Sequence, residues 1–145
     1  YNAIAKFLGE TGEVNGRVDI KVLRAEEVLL NKAEAQFELG LDALSTLNEL
    51  RDLRYVAYDG GEAGQDLEDA IQFERRVELS FEGHRFFDLK RRGEPVMRST
   101  MGDIIDGSGT PPDFPTLAAD NFRFQMPIPI AEINSNQNIV QNPGY

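Results

Sequence analysis

Apolar side chains recur at Val22, Ala25, Leu29, Ala33 and Phe37, three or four residues apart. That spacing lays them along one face of a helix. It predicts a helix over residues 22–39, with Asp19 as N-cap and Gly40 as the stop. A second helical stripe follows over residues 42–54, at Ala43, Leu44, Leu47 and Leu50. Arg51 and Arg54 fall in its last turns, where cations complement the helix dipole. So short a connection folds the two helices into an antiparallel hairpin. Asp59-Gly60-Gly61 through Gly64 reads as a loop. A third helix is predicted over 66–82, capped by Asp66. Its core face is Leu67, Ala70, Ile71, Val77 and Phe81, with Phe73 beside it. Gly83 interrupts, and residues 84–92 read as a fourth helix ended by Gly93 and Pro95.

The flanks lack this period. Residues 1–18 are Gly-punctuated around an apolar patch of Ile4, Phe7 and Leu8, with a short strand expected at 17–19. Residues 99–121 hold Gly107, Gly109, Pro111, Pro112 and Pro115, the mark of a long loop. Pro127 and Pro129 restrict 122–130 to an edge or extended segment, and little regular structure is expected over 134–145. The fold class is therefore all-α: one domain over 1–145, with tetratricopeptide-like helical hairpins at about 20–93 and an irregular tail over 94–145. No self-similarity links the two hairpins, so a generic four-helix cluster stands beside the repeat reading.

Composition narrows the chemistry. With 145 residues, 41% of them hydrophobic, the chain can bury a core and is not a disordered tract. A net charge of -10 argues against a phosphate-backbone binder, so no nucleic-acid partner is expected. Lys90, Arg91 and Arg92 form the one basic run, at a helix C-terminus. The absence of Cys excludes disulfides, Cys-zinc sites and thiol catalysis. The single histidine, His84, has no ligand partners at metal-binding spacing, and is expected to be structural. No metal and no cofactor are expected. No apolar run reaches the ~18 residues of a spanning helix.

Glu74, Glu78 and Glu82 stand four apart on one helix face, with Arg75 and Arg85 interleaved and Arg51 able to reach in from the second helix. Alone, three carboxylates suggest metal or acid/base work; with the arginines they suggest a structural ion-pair network of Arg51, Glu74, Arg75, Glu78, Glu82 and Arg85. A glycosidase needs two acids on opposite walls of a cleft, about 5–10 Å apart. A row on one helix does not supply that, so no catalytic residue is expected. Phe86 and Phe87 could stack on sugar rings, but their helical spacing favours the core. Tyr55 and Tyr58, in the loop after the second helix, are the candidate ligand-stacking residues. The chain has no Trp.

Three stretches resemble the C-terminal part of the SusD/RagB family. They are RAEEVLLNKAEAQFELG at 24–40 with ALSTLNELRDLR at 43–54, then AIQFERRVELSFEGHRFFDLKRRGE at 70–94, then MPIPIAEINSNQNIVQNPGY at 126–145. Their order and spacing agree with the family. Two details depart from it: the short connection at Gly40-Leu41, and Arg91-Arg92-Gly93 where an aromatic often follows the basic pair. Family members are several times longer, so the resemblance implies a C-terminal fragment. It implies a non-catalytic, glycan-binding nutrient-uptake lipoprotein of Bacteroidetes, on the cell-surface side of the outer membrane and anchored through an N-terminal Cys outside this chain. The implied partners are a SusC-like TonB-dependent transporter and an oligosaccharide held mainly by upstream segments. A stand-alone helical-repeat interaction module is the alternative.

Overall fold

A computed structural model describes residues 22–98 and 113–145, together with residues 6, 9 and 17–19. The expected apolar patch at Ile4, Phe7 and Leu8, and the Gly- and Pro-rich loop from 99 to 112, lie outside the described residues. The chain divides into two units, Tyr1–Glu78 and Leu79–Tyr145. The fold is helical and built on tetratricopeptide-like hairpins.

In the first unit, α1 (Ala25–Glu38) and α2 (Ala43–Asp52) form the hairpin, and α3 (Gln65–Glu78) follows. The hairpin turn is set by local chemistry. Gly40 takes φ +66°, which lets its N–H reach the carbonyl of Phe37 at 3.0 Å and the Leu41 N–H reach that of Gln36 at 2.7 Å. This double closure satisfies two orphan carbonyls of α1. One residue on, the Asp42 carboxylate accepts the Ser45 N–H at 3.0 Å and caps α2.

α1 packs against both α2 and α3. Its buried line is therefore Leu30 and Ala33, which meet Ala43, Leu47 and Leu50 of α2 and Leu67 and Ile71 of α3 in the core. That corrects the stripe read from spacing. Val22 lies before the helix and is 90% exposed, Ala25 is exposed, and Leu29 and Phe37 are half-buried. A helix with two neighbours buries the strip between them. The start also differs. Residues 17–19 are not strand, Asp19 is not the cap, and Arg24 holds the N-cap position without a side-chain bond.

α3 opens on the Gly64 carbonyl, which accepts from the N–H groups of Leu67 and Glu68 at 3.2 Å, so Asp66 lies inside the first turn. Its inward positions after Ile71 belong to Glu74 and Arg75. Phe73 and Val77 are consequently exposed rather than core.

The second unit starts with turns in place of the helix expected to run to 82. Phe81 sits there at φ +65°, a left-handed conformation that costs an ordinary residue roughly 1–2 kcal/mol, and its ring is exposed. α4 (His84–Arg92) matches its predicted span. Gly93, at φ +67°, closes it as Gly40 closes α1, with the Glu94 N–H reaching the Leu89 carbonyl at 2.9 Å. Leu89 and Asp88 are buried. Phe86 is half-buried and stacks on buried Phe124, centroids 5.2 Å apart. Phe87, expected in the core, is 67% exposed.

The tail is more ordered than its composition suggests. β1 (Val96–Met97) and β2 (Thr116–Leu117) pair antiparallel, Val96 opposite Leu117. A 3₁₀ turn at Phe122–Phe124 is capped by Asn121, which accepts the Arg123 N–H at 3.0 Å. An extended stretch over 125–129 leads into α5 (Ile130–Ser135).

Candidate functional site

The charged residues of the first unit gather where α2, α3 and the start of α1 converge. Arg51, on the inner side of α2 and only 5% exposed, holds one carboxylate on each side. Its Nε donates to Glu74 Oε1 at 3.0 Å. Its Nη1 and Nη2 meet the two oxygens of Glu62 at 3.0 and 2.9 Å. Nη1 also lies 3.3 Å from the Asp59 carbonyl and from Asn48 Oδ1. A guanidinium suits this position because its donors form a rigid planar fork. Asn48 Nδ2 donates to the Gly60 carbonyl at 3.1 Å, so two α2 side chains fasten the 59–62 loop.

One turn further along, Glu78 joins the other end of the cluster. Its carboxylate accepts from Arg54 Nε at 2.9 Å, Arg54 Nη2 at 3.1 Å and Arg24 Nη1 at 2.7 Å. Arg54 Nη2 donates in turn to Glu26 at 2.7 Å. The Glu78 main-chain carbonyl accepts from Arg24 Nη2 at 2.8 Å and from Lys6 Nζ at 2.6 Å. Cations thus seal the C-terminal end of α3, where backbone carbonyls lack helical partners. The Arg54 hydrogen bond, helped by Arg24, holds the Glu78 carboxyl down at about 2 against the opposing effect of burial. Arg51 lowers Glu62 in the same way.

Arg75 faces α1 instead, donating to Asn31 Oδ1 at 2.6 Å with Glu34 at 3.9 Å. The structure thus places Arg51, Glu74, Arg75 and Glu78 in the first unit. Glu82 and Arg85 belong to the second, where Glu82 is half-buried and Arg85 exposed. Arg24, Glu26, Arg54 and Glu62 are members that spacing along one helix did not indicate. Apart from the local Arg24–Glu26 pair, their partners lie 11 to 54 residues away in sequence.

The two tyrosines are built into this cluster. Tyr55, 37% exposed, donates its hydroxyl to Glu74 Oε2 at 2.8 Å. Tyr58 donates to Asp52 Oδ1 at 2.5 Å, and the Arg51 guanidinium lies 5.5 Å from its ring centroid. These carboxylates push both phenols above their usual range. The two rings are tilted by 58°. They offer no common flat platform for a sugar ring.

Chemically the cluster is a clamp. A carboxyl held near 2 has no proton to give at neutral pH, and each acid is tied to a guanidinium or hydroxyl. Among the described residues, no group of three or more His, Asp and Glu side chains is arranged to hold a metal ion. Among them also, no helix is long and apolar enough to cross a membrane. His84 opens α4 and is half-buried. Of the basic run, Arg91 pairs with Asp88 at 3.0 Å and Arg92 with Glu94 at 2.7 Å.

Comparison with known proteins gives one consistent result. A sequence model of the SusD family matches residues 4–145. The starch-binding protein SusD of Bacteroides thetaiotaomicron is 34% identical over 127 residues, 88% of this chain and 22% of that protein. A SusD-like protein of Formosa agariphila is 30% identical, over 100% of this chain and 29% of that protein. The crystal structure of a candidate sugar-binding protein from Bacteroides vulgatus superposes with a TM-score of 0.65 at 30% identity, covering 86% of this chain and 28% of the other. The chain thus spans less than a third of each of these relatives.

Proposed function

Because the chain belongs to the SusD family, we propose that it is part of a non-catalytic glycan-binding protein of nutrient uptake. The family match over residues 4–145 carries this reading. The protein works on the cell-surface side of the outer membrane, anchored by lipid on a Cys outside this chain. It captures an oligosaccharide and passes it to a SusC-like TonB-dependent transporter.

Within that protein these residues act as scaffold and transporter-facing surface. The geometry of the clamp supports the assignment. Arg51 and Glu78 join helices and seal helix ends, and the hydroxyls of Tyr55 and Tyr58 are already engaged by Glu74 and Asp52. Sugars are well solvated in water, so affinity requires convergent polar groups around flat, accessible aromatics. The ligand is therefore held mainly by segments outside this chain.

Calorimetric titration tests the proposal. A glycan recognised by the full-length protein is titrated into that protein and into this chain alone, with circular dichroism verifying that the chain is helical. Binding by the full-length protein alone is the expected result. Comparable affinity for both would move the site into these residues, with Tyr55 and Tyr58 the first to substitute. Hydrolysis of the glycan would overturn the non-catalytic reading.

A further inference from the structure

Ile128 lies between Pro127 and Pro129 in the extended stretch 125–129. The prolines carry no N–H, so Ile128 owns the single backbone donor of residues 127–129. The N–H and C=O of one extended residue point to the same side, where a neighbouring strand ordinarily takes both. Here the Gln141 side chain takes both. The Ile128 N–H donates to Gln141 Oε1 at 2.8 Å, and Gln141 Nε2 donates to the Ile128 carbonyl at 3.0 Å. A primary amide holds a donor and an acceptor side by side, as a strand partner's peptide groups do.

The neighbouring residues continue the same pattern. Asn142 Nδ2 donates to the Met126 carbonyl at 2.6 Å. The Tyr145 hydroxyl donates to the Gln125 carbonyl at 2.9 Å, and its ring meets Phe122 edge-on with centroids 5.0 Å apart. Gly144, at φ +95°, lies so close to Phe122 that a Cβ there would sit 2.5 Å from the ring. Four backbone groups on three residues, Gln125, Met126 and Ile128, are thus served by the side chains of Gln141, Asn142 and Tyr145.

We propose that residues 141–145 form a strap that fixes the 125–129 stretch in its extended conformation. Seated, the strap takes the place of a missing β-strand and holds the entry to α5. Released, it leaves a proline-interrupted segment with unpaired backbone groups and nothing to define its course. The exposed side chains of Met126 and Ile130, 73% and 70% accessible, owe their fixed positions to it.

The test is local order in the protein carrying this chain, read by hydrogen exchange with mass spectrometry and by limited trypsin digestion at Arg123. Gln141→Ala should speed exchange in the 124–130 peptide at least about fivefold, the scale of a hydrogen bond's net contribution. Cleavage at Arg123 should rise with it, while peptides from α1 to α3 keep their protection. Unchanged exchange and unchanged cleavage overturn the proposal. If Gln141→Ala also loses protection in α1 to α3, Tyr145→Phe decides. It keeps the ring and removes only the bond to Gln125. Faster cleavage at Arg123 in that variant supports the strap, and an unchanged rate overturns it.

Discussion

Arg54 and Glu78 join the C-terminal ends of α2 and α3 through a two-point contact, Nε to Oε2 at 2.9 Å and Nη2 to Oε1 at 3.1 Å. The carboxylate side is 14% exposed and the guanidinium side 38%. Removing the acid takes away one of the two carboxylates that Arg54 and Arg24 share and leaves Glu26 between them. Glu78→Ala is expected to destabilise the fold by about 2–3 kcal/mol, below the full cost of a buried pair because Arg54 is partly solvated. Glu49→Ala, an exposed control on α2, should stay within about 0.5 kcal/mol. Urea midpoints for the two variants check this.

The same carboxylate sets an acid limit. Its folded pKa, at about 2, lies below the 4.5 of an ordinary glutamate. A depressed acid contributes stability above its unfolded pKa and loses that contribution as pH falls towards the folded value. The window is therefore pH 4.5 down to 2. Over that window the contribution is of order 3 kcal/mol. Stability measured against pH should fall less steeply there in Glu78→Gln than in the parent. Parallel curves would count against the pairing.

Arg51→Lys keeps the positive charge and loses the fork. A lysine cannot reach Glu74 and both oxygens of Glu62 together. A loss of about 2–4 kcal/mol is expected, since buried Glu74 then loses the guanidinium and keeps the Tyr55 hydroxyl. Exchange in the 59–62 loop should rise at the same time, because its tie to α2 runs through Arg51. A stable variant with an unaltered loop would show that charge alone suffices.

Tyr55 donates to Glu74, and that bond keeps the phenol protonated to higher pH than a free tyrosine. In an ultraviolet pH titration, Tyr55→Phe should remove a late-ionising component and cost about 1 kcal/mol in a denaturant melt. If the lost component is an early one, the hydroxyl is not bound as described.

Much of the helical frame was legible because punctuation coincides with packing. Gly40, Asp42 and Gly93 mark helix ends by their own conformational or capping chemistry. The start of α1 and the end of α3 were not marked in that way. Val22, Val77 and Phe81 extend the apolar spacing, yet the inward places near α3's end are held by paired charges. The clustering of Glu74 and Glu78 with arginine could be read from a four-residue repeat. The contributions of Arg24, Arg54, Glu26 and Glu62 could not, since a pair formed between distant segments leaves no local period. The contacts of Gln141 and Asn142 with backbone also carry no periodic signal, and two-residue strands are too short to show one.

The seal on α3 also has an order in time. Arg24 pairs locally with Glu26, but it reaches its carbonyl and carboxylate partners on α3 at Glu78, 54 residues further along the chain. At ribosomal speeds of about 5–20 residues per second, Glu78 is joined to the chain roughly 3–10 s after Arg24. Throughout that interval α1 and α2 can pair, but the guanidinium ahead of α1 has no native acceptor on α3. The tie between the entry segment and α3 thus forms last, and a chain stalled before Glu78 would hold a helical hairpin whose entry segment is not yet joined to α3.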